Sequence, residues 1–115
     1  MADLLVDTDI FVDHLRGAHE LRPAGHHLFY SVITRAELLA GTTASDVVVR
    51  LLSAFRELPV DRGVAERAGR IRRESGLRLP DALVAATAVV HDLALATRNR
   101  RHFDPVRGLR LRALR

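Results

Sequence analysis

Short apolar runs alternate with amphipathic stretches along the chain, and turn residues separate them. Leu4-Leu5-Val6 is an apolar run closed by Asp7 and reads as a buried strand. Thr8 or Asp9 can cap a helix through Leu15-Arg16, with Gly17 as its stop. Gly17 to His27 carries Pro23 and Gly25 and reads as a loop. Leu28 to Ile33 is rich in aromatic and β-branched residues and predicts a second strand. Thr34 opens a helix that Gly41 ends, and Ser45 to Phe55 forms another with Val48, Leu51, Leu52 and Phe55 on one stripe. Leu58-Pro59-Val60 is a short strand or connector. Asp61 to Ser75 has helical spacing, with Val64, Ala68 and Ile71 on one face and Arg67, Arg70 and Glu74 on the other. Gly76 ends it, and Pro80 starts a small-residue helix through His91. Leu93 to Ala96 reads as a strand, followed by a polar loop and a further short strand over Leu109 to Leu111. Strands that alternate with helices predict an α/β fold with a parallel sheet.

Composition narrows the classes. The 115 residues make one domain, and 48% hydrophobic with 28% charged residues is an ordinary globular balance. The absence of cysteine excludes a disulfide scaffold, a thiolate zinc site and a cysteine nucleophile. The net charge is +4, and all 18 cationic side chains are arginines. An arginine-only basic surface predicts an acidic partner, with nucleic acid the leading candidate. Aromatic residues are 4% of the chain, too few for a base-stacking platform. The N-terminus lacks a cationic region, and no window reaches the ~18–20 apolar residues of a membrane span. A cytoplasmic protein without a membrane partner is expected.

Three carboxylates fall at informative places. Asp7 closes the first strand, Glu37 lies one turn into the helix after the second, and Asp81 opens an apolar helix. In open α/β sheets the functional crevice lies beyond the C-terminal strand ends. Carboxylates gathered there need a counter-ion, and oxygen ligands suit a hard divalent cation. Each also has a local explanation. Thr34-x-x-Glu37 matches a capping box, Asp81 suits a helix N-terminus, and Asp7 suits a strand-end turn.

The segments Leu5-Val6-Asp7-Thr8-Asp9, Ser31-Val32-Ile33-Thr34-Arg35-Ala36-Glu37-Leu38, Leu79-Pro80-Asp81-Ala82-Leu83-Val84-Ala85-Ala86-Thr87-Ala88 and Ala96-Thr97-Arg98-Asn99-Arg100-Arg101-His102-Phe103 resemble, in order, the motifs of PIN-domain ribonucleases. The resemblance is to the VapC toxins of bacterial type II toxin–antitoxin systems, and it spans nearly the whole chain. It implies a single PIN-like nuclease domain over residues 1–115, an α/β/α sandwich with a central parallel sheet of four to five strands. It also implies Mg²⁺- or Mn²⁺-dependent endonuclease activity on RNA. Asp7, Glu37 and Asp81 fall on the metal-binding positions, and Asn99 falls where relatives carry Asp or Asn. Some relatives have an acid where this chain has His102, and Asp104 is a second candidate for that charge, or a turn residue before Pro105. Asp9 is expected to support the ligands or cap the helix rather than bind the cation. Arg35, Arg98, Arg100 and Arg101 lie beside the acidic motifs and are the candidates for holding RNA. None of the six histidines has ligand spacing, and His102 alone adjoins a motif. The resemblance further implies a cognate antitoxin and homodimerisation. The alternatives are a PIN-like RNA-binding or regulatory domain without strong catalysis, which neutral Asn99 favours, and a structural domain whose acids are caps.

Overall fold

Apolar side chains on both faces of the first strand decide the architecture. The computed structural model describes residues 1–114. Its elements run β1 (Asp3–Val6), α1 (Thr8–Leu15), β2 (His27–Ser31), α2 (Val32–Leu39), α3 (Ser45–Leu52), β3 (Arg56–Leu58), α4 (Arg62–Ser75), α5 (Leu79–Val90), β4 (Ala94–Ala96) and α6 (Arg100–Phe103). Leu4, Leu5 and Val6 are all 0% exposed, as a central strand covered on both faces requires. Leu5 packs with Val64, Ala68 and Ile71 of α4 and with the small residues of α5. Leu4 and Val6 face the other way, into a cluster with Phe11 of α1, Leu38 of α2, and Val48 and Leu52 of α3. Burying a Val or Leu side chain contributes ~1.5–3 kcal/mol, so this strand ties two helical layers to one sheet.

The sheet is parallel throughout, in the order β3-β2-β1-β4. The chain works outward from β1 to β3 and then returns to place β4 on the other side of β1. Asp7 therefore leaves β1 beside Thr97, which leaves β4, at a topological switch point where ligand crevices form. The amide of Asp7 donates to the carbonyl of Ala96 at 2.9 Å and fixes the two strand ends together.

Several boundaries differ from the sequence expectation. The second strand stops at Ser31, because the Ser31 hydroxyl accepts the Ile33 N–H at 3.1 Å and caps α2. The helix therefore opens at Val32, and Thr34-x-x-Glu37 lies inside it and forms no capping box. Asp7, not Thr8 or Asp9, is the N-cap of α1. The third strand is Arg56–Leu58, earlier than Leu58–Val60, and α3 ends at Leu52. Leu111 makes a single parallel bridge to Leu95, so four strands stand where four to five were expected. The polar loop after β4 contains the one-turn helix α6. The helix over 62–75 follows its pattern closely, with Asp61 as cap, Val64, Ala68 and Ile71 buried, and Gly76 at φ 76° closing it. Among the described residues no helix is long and apolar enough to cross a membrane.

Candidate active site

The end of β1 supplies the deepest carboxylate. Asp7 is 6% exposed. Its Oδ1 accepts the Thr8 N–H at 2.8 Å, which starts α1, and its Oδ2 accepts the Thr97 hydroxyl at 2.8 Å. The same hydroxyl stands 3.2 Å from Asp9 Oδ2, and Oγ1 accepts the Asn99 N–H at 3.0 Å. Thr97 thus has one proton for two carboxylates. Asp9 Oδ2 also accepts the Arg98 N–H at 3.1 Å. Its Oδ1 is buried and has no hydrogen-bond partner.

The other acids approach from helices on the two layers. Glu37 on α2 accepts the Thr8 hydroxyl at 2.7 Å, and Thr8 is in turn 2.9 Å from the buried Thr34 hydroxyl. With Thr8 giving its proton to Glu37, Thr34 donates to Thr8. Asp81, in the first turn of α5, lies 3.0 Å from His102 Nε2 through its Oδ2. Asp7, Asp9, Glu37, Asp81, Asn99 and His102 line one cleft of about 260 Å³, with Arg98 at its wall. Every expected catalytic residue is on this cleft.

Two of the expected supporting groups are elsewhere. Asp104 is exposed at the end of α6 and does not line the cleft. Arg35 turns to Glu57 and to the Tyr30 hydroxyl, 2.9 Å away, instead of the carboxylates. Of the remaining arginines, Arg98 bonds Asp13 at 2.6 Å, and Arg100 and Arg101 are exposed on α6. Thr8, Thr34, Asp13 and Thr97 hold the site together; all but Asp13 lie inside the quoted motifs, where nothing local marks them as holding the carboxylates. Thr97 bonds residues 90 and 88 positions away.

Burial and like charge govern the electrostatics. Desolvation pushes Asp7 up from 3.8 to about 7, the neighbouring Asp9 charge adds to the rise, and the Thr97 and Thr8 hydrogen bonds hold it back. Desolvation also raises Asp9, against the Thr97 and Arg98 bonds. Among the described residues no group of three or more His, Cys, Asp or Glu side chains is drawn together tightly enough to hold a metal ion as it stands. The donor set nonetheless suits a hard cation. It is rich in carboxylate oxygen, mutually repelling, and includes one buried oxygen without a partner.

The Thr97 hydroxyl has a measurable share in this balance. Thr97→Val is expected to cost ~1–3 kcal/mol in urea unfolding at alkaline pH, because a buried carboxylate loses a donor. Thr97→Ser, which keeps the hydroxyl, is expected to stay near the wild type.

Comparison with known proteins gives the same grouping. Residues 4–109 match the model of the PIN domain family. The chain is 41% identical to Ribonuclease VapC10 of Mycobacterium tuberculosis, over 87% of this chain and 85% of that protein. It is 38% identical to Ribonuclease VapC19 of the same organism, over 86% and 90%. A toxin–antitoxin complex from Klebsiella pneumoniae contains a chain 32% identical, with a TM-score of 0.74 over 92% of this chain and 94% of that one. VapBC2 from Rickettsia felis, at 20% identity and a TM-score of 0.80 over 96% and 98%, shares the fold. With a family model spanning most of its length and relatives of this identity, the chain belongs to the PIN-domain family, among the VapC-like ribonucleases.

Proposed function

We propose that this chain is the toxin of a type II toxin–antitoxin pair, an endoribonuclease that hydrolyses RNA phosphodiester bonds with a divalent cation, Mg²⁺ or Mn²⁺. The observation that carries it is the convergence of Asp7, Glu37 and Asp81 from β1, α2 and α5 on one cleft at the switch point. These three carboxylates would hold the cation. When bound, such an ion lowers the pKa of a water molecule and offsets charge on the phosphate under attack. Asp7, anchored by Thr8 and Thr97, fixes the floor of the cleft. The Thr8 hydroxyl steadies Glu37, and His102 steadies Asp81. Asn99 offers a neutral carbonyl oxygen at the rim. Arg98, Arg100 and Arg101 supply positive charge for the RNA backbone, which the acidic cleft alone repels. The cytoplasm, where RNA is available, is the proposed compartment, and a cognate antitoxin and a homodimer complete the proposal by family likeness.

The test is cleavage of RNA before and after metal removal. Activity is expected to vanish in EDTA and to return with Mg²⁺ or Mn²⁺, with Mg²⁺ and Mn²⁺ compared at equal concentration. Salt-sensitive RNA binding without any metal-dependent product would instead establish the non-catalytic RNA-binding domain that neutral Asn99 favours.

A further inference from the structure

Positive charge is unevenly spread over the molecule. Residues 62–78 and 98–108 hold 10 of the 18 arginines but 3 of the 14 acids, a net of +7 against −3 for the rest of the chain. Among the described residues, Arg98 alone of these ten enters a salt bridge. Arg72 closes α4, donating to the Gly76 and Leu77 carbonyls at 2.8 and 2.9 Å. Arg70 has Glu66 one turn before it and Glu74 one turn after, yet pairs with neither. A solvated helix face gains from ion pairs at this spacing. This one forgoes them and gathers like charge, the footprint of a polyanionic partner.

The surplus borders a groove of about 320 Å³ between α4 and the turn after α6, lined by Arg67, Ile71, Glu74, Ser75, Pro105 and Arg107. Ile71, Phe103 and Val106 are buried in one core cluster and fix both walls. Arg67 is half-buried, with its Nη2 3.6 Å from the point a Cβ would occupy on Gly108, whose φ of 78° favours glycine. Its guanidinium is thus held against the turn. The groove also adjoins the cleft. Phe103 lines the cleft and Pro105 lines the groove, and two residues span at most ~7 Å of chain.

We propose that this groove binds the phosphate backbone of the RNA beyond the scissile bond, with Arg67 and Arg107 as its phosphate contacts and Arg70 beside them on α4. This rests on the RNA-cleaving activity proposed above. A strand whose scissile phosphate sits in the cleft passes over α6, where Arg100 and Arg101 are exposed, and enters the groove. Among the described residues no aromatic side chain lines the groove, so bases have nothing to stack on there. Backbone contacts add affinity without sequence preference, which leaves the choice of RNA to the cleft. None of the exposed large apolar side chains lies on α4, α6 or this turn, and a second copy of the chain would bring the same positive charge. Both facts disfavour a contact between copies on this face.

The experiment measures how the intact protein binds a labelled, mixed-sequence RNA of about 16 nucleotides, the upper end of a single-strand site, as KCl is varied in EDTA. Arg67→Gln/Arg107→Gln is expected to flatten the slope of log affinity against log salt by about 1.4, at 0.7 per phosphate contact, or about 25-fold in affinity at roughly 0.1 M KCl. Arg16→Gln/Arg50→Gln removes the same charge from exposed positions on the other helical layer and is expected to leave the slope unchanged. Glu74→Gln removes the one acid lining the groove and is expected to tighten binding several-fold, a gain that a folding defect cannot mimic. Equal losses in the two arginine pairs overturn the assignment, as does a wild-type slope in Arg67→Gln/Arg107→Gln or the lack of a gain in Glu74→Gln. Unchanged RNA binding with a weakened hold on polyglutamate overturns it in favour of an acidic protein segment. A wild-type protein that cleaves RNA with Mg²⁺ but binds none in EDTA also overturns the groove. One that neither binds nor cleaves RNA overturns the reading on which the groove rests, which separates the two failures.

Discussion

Replacing Asp7 by Asn is expected to abolish RNA cleavage and, at the same time, to make the cation-free protein more stable. Both effects come from one buried charge. Asp7 is almost fully enclosed, and its pKa stands at about 7 instead of 3.8. That difference corresponds to about 4 kcal/mol of disfavoured ionisation. Asn keeps an oxygen for the Thr8 N–H, so α1 keeps its cap, and its amide can donate to the Thr97 oxygen. The variant loses the charge without leaving a hole. A gain of about 2 kcal/mol at alkaline pH is expected, half the full figure because Asn must still satisfy its own amide. Cleavage is expected to fall about 10³-fold or more, since loss of a ligand forfeits several kcal/mol of charge stabilisation in the transition state. Urea unfolding in EDTA and a cleavage assay with Mg²⁺ measure the two sides. A variant that is both less stable and fully active would mean that Asp7 is only a helix cap.

The opposition of stability and activity at Asp7 explains which parts of the site the sequence makes legible. Apolar runs of a buried parallel sheet are locally distinctive, so β1, β4 and the helices α4 and α5 follow from spacing and capping residues alone. Asp7, Glu37 and Asp81 stand out because they interrupt such patterns at strand and helix ends. Ser31 does not, because β-branched Val32 and Ile33 favour a strand by propensity while the Ser31 hydroxyl turns the same residues into the first turn of α2. The Arg56–Leu58 strand is equally hidden, since two of its three residues are exposed and charged and it is placed by its pairing with β2. The roles of Thr97, although it lies in the fourth motif, and of Asp13 are hidden for a different reason. Their importance lies in bonds across 85 to 90 residues of sequence, which no local window contains. Asp9 sits between these cases. It is plain in the first motif, but only the three-dimensional count of donors reveals that one of its oxygens is left over.

The contribution of Asp7 to the stability of the cation-free protein is expected to fall as pH rises from about 4 to about 7, the reverse of the usual behaviour of carboxylates in folded proteins. In the unfolded chain Asp7 releases its proton near 3.8, whereas in the folded protein burial and Asp9 keep it bound until about 7. Between those values the folded state holds more protons than the unfolded state, so each rise in pH favours unfolding. Below the lower value both forms are protonated, and above the upper value both are ionised, so the contribution is flat on either side. The full change is at most about 4 kcal/mol, and the raised Asp9 acts in the same direction. The chain carries many other ionisable groups. They are common to the wild type and Asp7→Asn, so the difference between the two proteins across pH isolates Asp7. That difference is expected to be small near pH 4 and to grow in favour of Asn towards pH 8. Saturating Mg²⁺ is expected to shrink or reverse it, because a ligand held by the ionised wild-type site stabilises the fold by about 2.7 kcal/mol at a hundred times its Kd. A difference that stays constant with pH would mean that Asp7 carries no displaced proton, and the electrostatic account of the cleft would fall with it.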